Sequence, residues 1–157
     1  WYKVYYPAEF YATYFSSVVA DFDEETILKG KDAILEKMAL IDAKGQAATA
    51  KEGNEMTVLE VAYEMYARGY EFADIELGHS DAAKFKIKDG KVLLPFMAID
   101  GMGETAANSF VDEYNIKPYE TIEDIFKRAK ISKSLVDTLK TRGILKGLPE
   151  TDQLSFF

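Results

Sequence analysis

A chain of 157 residues fits one ordinary domain or two small ones, and a composition that is 48% hydrophobic and 29% charged argues against wholesale disorder. The absence of cysteine excludes disulfides, zinc fingers and thiol catalysis, and a single histidine leaves almost no material for His-dependent acid–base or zinc chemistry. The net charge of −8 weighs against nucleic-acid binding taken over the whole chain, because phosphate contacts need Lys and Arg.

In chain order, "YYPAEFYATYFSSVV" predicts a helix with Pro7 in its first turn and Phe10, Tyr14 and Val18 at helical spacing. "EETILKGKDAILEKMALIDAKG" predicts a second, with Ile27, Ile34, Met38 and Ile41 on one side, Gly30 weakening its start and Gly45 stopping it. "AATAKEGNE" reads as a polar connection. Thr57 with Glu60 forms a capping box before "VLEVAYEMYARG", which Gly69 closes. "AKFKIKDGKVLL" alternates and turns at Asp89-Gly90, the strongest short hairpin signal in the chain. Three short helices follow, with Thr121 and Ser132 as N-caps and Gly143 as a C-terminal stop. No tandem repeat is visible. The fold class read from this pattern is α+β, mostly α, with a small β-hairpin and a soft boundary near Leu94.

Two stretches carry candidate chemistry. In "LPFMAIDGMGETAANSF" the spacing of Gly101, Met102, Gly103 and Ala107 resembles a helix-hairpin-helix motif. Two residues without Cβ let the backbone turn sharply and approach a ligand. The amides around Gly103 and Glu104 then stand at a helix N-terminus, where the dipole favours a phosphate without reading bases. Asp100, where the motif usually has proline, and Glu104 oppose this electrostatically. Residues 117–148 hold eight basic side chains against four acidic, whereas residues 1–116 hold eleven against twenty-one. Lys127, Arg128, Lys130, Lys133, Lys140 and Arg142 lie at or just beyond helix ends, where they either complement helix dipoles or touch a duplex backbone.

Other patterns assemble no catalytic or metal site. The acids of "DFDEE" are better read as opening a helix, and His79-Ser80-Asp81 are adjacent, whereas a triad is built from distant positions. "LPET" resembles a cell-wall sorting signal but lacks the glycine and apolar tail that signal needs. The chain ends in "QLSFF", and Gln153, Leu154, Ser155, Phe156 and Phe157 resemble the pentapeptide by which bacterial replication proteins bind the sliding clamp. Apolar anchors and a register-fixing amide suit such a docking peptide.

Taken together, "YKVYYPAEFYATYFS", "TVLEVAYEMYARGYEF", "HSDAAKFKI", "PFMAIDGMGETAA" and "GLPETDQLSFF" resemble the C-terminal region of the PolC-type alpha subunit of DNA polymerase III of low-GC Gram-positive bacteria. Within that resemblance His79 stands where a more basic residue is expected and Phe156 where leucine is usual. The resemblance implies the end of the polymerase fingers over 1–93, a helix-hairpin-helix duplex-binding region over 94–147 and a clamp-binding tail over 148–157. It implies as partners duplex DNA, the sliding clamp and the rest of the polymerase. The absence of a signal peptide and of an apolar run of membrane-span length, with Trp1 opening inside an aromatic stretch, reads as a cytoplasmic piece of a longer chain with no membrane partner. The parent is expected to be a DNA-directed DNA polymerase using Mg, with catalytic aspartates upstream and no cofactor in this segment. A DNA-binding adaptor from a repair protein and an acidic protein-interaction domain are the alternatives.

Overall fold

A computed structural model describes residues 1–151, so the terminal pentapeptide lies outside the described residues. The first predicted helix forms as α2 (Pro7–Ser17), with Pro7 at its start, where a missing N–H costs nothing, and a separate turn, α1 (Tyr2–Tyr5), precedes it. The second is divided. Asp23 caps a single turn, α3 (Glu24–Ile27), through Thr26 N; Gly30 then takes φ +103, and α4 runs over Lys31–Ala43. A helix cannot pass through that backbone conformation, which accounts for the break.

The capping box lies earlier than the sequence suggests. Thr49 and Glu52 form it reciprocally and open α5 (Ala50–Ala67), so most of the stretch read as a polar connection is helix. Thr57 sits inside α5 with its hydroxyl turned back to the Gly53 carbonyl. Ala50, Lys51, Glu55 and Met56 are good helix formers, and with the earlier box they carry the helix through Gly53 and Asn54.

The Asp89-Gly90 turn is present, both residues at positive φ, joining β2 (Lys86–Lys88) to β3 (Lys91–Leu93). The hairpin gains a third strand: β1 (Phe72–Ala73) pairs parallel with β3, giving the order β1-β3-β2 with Phe72 opposite Val92 and Ile87 opposite Val92 from the other side. After the sheet come α6 (Glu104–Ile116), α7 (Ile122–Arg128) and α8 (Lys133–Thr141). The caps predicted at Thr121 and Ser132 both form, to Asp124 N and Leu135 N, and Gly143 takes φ +76 just past α8.

One buried cluster runs from Tyr11 to Leu145. Its aromatic centre is Phe15, fully buried, whose ring meets Phe22, Phe72 and Phe85 at 5.2–5.7 Å between centroids, joining α2 to the sheet and its preceding loop. Ser16 strengthens that joint: its hydroxyl accepts from Phe85 N at 2.8 Å and donates to Ala12 O. A second aromatic group, Phe96, Phe110 and Tyr119, seats α6, and the Tyr119 hydroxyl donates to Phe110 O at 2.6 Å.

An ion cluster ties the C-terminal helices to the N-terminal half. Arg142, just past α8, places its guanidinium 2.5 Å from both Glu24 on α3 and Asp74 after β1. Glu24 and Arg142 keep only 14% and 18% of their side-chain exposure. Burial pushes the Glu24 carboxyl above its usual range, with Arg142 pulling it back.

Phe15→Ala is expected to cost about 3–5 kcal/mol of unfolding free energy, as for a fully buried aromatic truncated to Ala; denaturant titration measures it. Glu24→Gln addresses the ion cluster. Because the folded pKa of Glu24 is raised, its contribution is fully present below the unfolded value and is lost as pH rises through the folded one. The stability of the unsubstituted protein relative to Glu24→Gln therefore falls as pH rises above the ordinary glutamate range and through the raised folded value. A difference that grows with pH contradicts this.

Candidate nucleic-acid interface

The glycine turn follows β3 through Pro95 and a 3₁₀ turn, Phe96–Ala98. Ile99 and Met102, both buried, pin its flanks, and Met102 N donates to Ile99 O at 3.1 Å. Between them Asp100 is exposed and Gly101 takes φ +84. A Cβ there would stand 3.9 Å from Leu135 Cδ2 of α8, so backbone conformation rather than crowding selects glycine. Gly103 is the N-cap of α6 and has no side chain with which to cap it. The leading amides of α6, starting at Glu104, are thereby left for an external acceptor. Ala107, fully buried, closes the motif against the core.

The same turn recurs at the far end of the described chain, although no tandem repeat is visible in the sequence. Leu145-Lys146-Gly147-Leu148-Pro149-Glu150-Thr151 restates Ile99-Asp100-Gly101-Met102-Gly103-Glu104-Thr105. Leu148 N donates to Leu145 O at 3.1 Å, Gly147 takes φ +92 and Leu145 is buried. The signal was present as GMGET against GLPET, but it is too short to stand out without the backbone. Lys146 occupies the position of Asp100, so the second copy presents a cation where the first presents an anion. Its last residues are held in place: the carbonyls of Pro149 and Glu150 accept from Ile122 N and Glu123 N at 2.9 and 3.0 Å, satisfying the amino end of α7.

The predicted cations divide into two sets. Arg128 is embedded: its guanidinium pairs with Asp124 at 3.0 Å and Glu113 at 3.5 Å, donates to the Glu113 and Lys117 carbonyls and lies 4.9 Å over the Tyr119 ring. Arg142 belongs to the ion cluster with Glu24 and Asp74. Lys127 pairs with Glu123 at 2.9 Å and Lys140 with Glu150 at 2.5 Å. Among the described residues, Lys130, Lys133 and Lys146 have no ion-pair partner. Lys133 opens α8, two residues before the Leu135 that packs by Gly101, and lines a shallow depression with Ser134, Asp137, Thr138, Thr141 and Arg142. Lys130 takes φ +55 in the turn before α8.

The turn itself, from Asp100 to Gly103, lines a groove together with Asp21, Asp23, Glu24, Glu25 and Glu55, and with Lys37 and Lys51. Those carboxylates oppose a phosphate backbone on that face of the turn. Among the described residues, no group of three or more His, Cys, Asp or Glu side chains is placed to hold a metal ion. No helix among them is long and apolar enough to cross a membrane.

Comparison with known proteins agrees with this geometry. Over its full length the chain is 44% identical to a DNA polymerase III PolC-type of Caldanaerobacter subterraneus subsp. tengcongensis, 41% identical to that of Clostridium perfringens and 38% identical to that of Thermotoga maritima. It spans 11% of the length of each of these relatives. The family model described as "Helix-hairpin-helix motif" matches residues 69–153, a stretch that contains both glycine turns and the three helices between them. The chain belongs to the helix-hairpin-helix family.

Proposed function

We propose that this chain is the C-terminal part of a PolC-type replicative DNA polymerase, where it holds duplex DNA by its backbone and tethers the enzyme to the sliding clamp. The observation that carries the DNA reading is the uncapped amino end of α6 behind the Gly101 turn, together with the repeat of that turn at Gly147. Backbone amides at the first turn would donate to phosphate oxygens, and Lys130, Lys133 and Lys146 would neutralise phosphates, neither reading sequence. Met102 contributes by fixing the turn to the core. Arg128 and Arg142 contribute as positioning residues, since their guanidinium groups are already held by carboxylates. In this reading residues 1–93 are the end of the fingers, 94–147 the duplex-binding region and 148–157 the clamp-binding tail.

The parent enzyme would act in the cytoplasm as a DNA-directed DNA polymerase, and the Mg that such chemistry uses would be bound outside the described residues of this segment. The tail reading rests on the resemblance of Gln153, Leu154, Ser155, Phe156 and Phe157 to a clamp-docking peptide. Such a link raises the effective concentration of the enzyme at the primer end.

For DNA, Lys130→Gln combined with Lys133→Gln is expected to weaken duplex binding and to reduce the slope of log affinity against log salt by about 1.8, close to 0.9 for each phosphate no longer neutralised. Unchanged affinity and slope contradict the assignment of these two lysines. For the clamp, titration against a bacterial sliding clamp with and without residues 153–157 is expected to show at least about a tenfold loss on removing these anchors. Equal binding by the two forms contradicts the tethering role.

A further inference from the structure

Among the described residues the exposed large apolar side chains are not scattered evenly. Trp1, Tyr2, Val4, Tyr5 and Tyr6 crowd into the first six positions, at 82%, 43%, 71%, 66% and 48% exposure. No residue of α1 is buried. The rings hold one another: Trp1 lies 5.3 Å from Tyr5 and 6.1 Å from Tyr6, and Tyr2 lies 5.7 Å from Tyr6, centroid to centroid. A contiguous face of this kind marks an interaction surface, and Trp and Tyr are the residues most enriched in the energetic centres of protein interfaces.

The charges around the face say what sort of partner it suits. Exposed aromatics beside free cations would suit single-stranded nucleic acid, with bases stacked on rings and phosphates on Lys or Arg. Here the nearby cations are already engaged. The Lys3 ammonium pairs with Glu64. The Arg68 guanidinium donates to the Tyr11 hydroxyl at 2.9 Å and to Lys3 O at 3.4 Å. What remains is aromatic and apolar, which suits a protein surface.

The relatives supply the occupant. Each aligns with this chain along its whole length yet is about nine times longer, so most of such a polypeptide lies outside this segment. A surface on the same polypeptide reaches the aromatic face at an effective concentration that a second copy in dilute solution cannot match. We infer that the face of Trp1, Val4, Tyr5 and Tyr6 is an internal interface on which the remainder of the PolC-type polypeptide packs. The inference rests on the reading of this chain as part of such a polymerase.

Hydroxyl-radical footprinting, read by mass spectrometry on the full-length polypeptide carrying this segment, tests it. Each rate is compared with that of the same residues in denaturant. Without DNA, Trp1 and Tyr5 are expected to oxidise at least about fivefold more slowly in the folded polypeptide, because an interface centre excludes solvent. This protection is expected to persist across a wide dilution. Rates equal to those in denaturant overturn the inference. Protection lost on dilution assigns the face to a second copy, and protection seen only with primed DNA assigns it to nucleic acid; either result overturns it too. Primer extension by the same polypeptide tests the underlying polymerase reading separately: extension without protection sinks the internal interface alone, and no extension sinks the polymerase reading.

Discussion

The guanidinium of Arg142, enclosed between Glu24 and Asp74, is the constraint on which the arrangement of the C-terminal half depends. A charge so little exposed is tolerable only with partners, and here the partners come from α3 and from the end of β1, far away in sequence. The carboxyl end of α8 is thereby fixed against the N-terminal half. Leu135, earlier on α8, meets the Gly101 turn, and the Gly147 turn follows directly after Arg142. Both turns are thus referred to one helix whose end is held by one ion cluster. Glu24 carries the strain of this arrangement, since burial opposes its ionisation even with Arg142 beside it.

That constraint also changes what the basic segment means. Clustered lysines and arginines over 117–148 suggest a uniform basic face, but side-chain geometry divides them. Arg128 and Arg142 act inside the fold, while Lys130, Lys133 and Lys146 have no ion-pair partner among the described residues. The groove that the Gly101 turn lines is rich in carboxylates, so the unpaired lysines are the cationic counterpart to an acidic face. An acidic protein can hold a polyanion in this way, because interaction with phosphates falls off over roughly a Debye length of about 8–10 Å and the local arrangement outweighs the total charge.

Much of the fold was legible because short-range rules dominate where they are unopposed. Asp89-Gly90 made its hairpin, Thr121 and Ser132 made their caps, and Gly101 to Ala107 made the predicted turn and tight helix start. The misreadings occurred where two local signals competed. Thr57 and Glu60 form a plausible capping box, but Thr49 and Glu52 offer another upstream whose reciprocal bonds start α5 there despite Gly53 and Asn54 between the two boxes. In sequence Gly30 reads as a weakness inside one helix, yet its positive φ makes it a break between two. The parallel strand Phe72–Ala73 was invisible, since two residues carry no periodicity and their pairing with β3 is non-local.

By itself the sequence determined the mostly helical class, the glycine turn with its small Ala107, and the excess of cations in one segment, because these depend on residue identity at short spacing. Only the tertiary structure decided which cations remain available and which are consumed. It also revealed that GLPET repeats the backbone of GMGET and that Glu24 and Asp74 converge on Arg142. Ion pairing and turn geometry depend on distances between residues remote along the chain, and no local pattern encodes those distances.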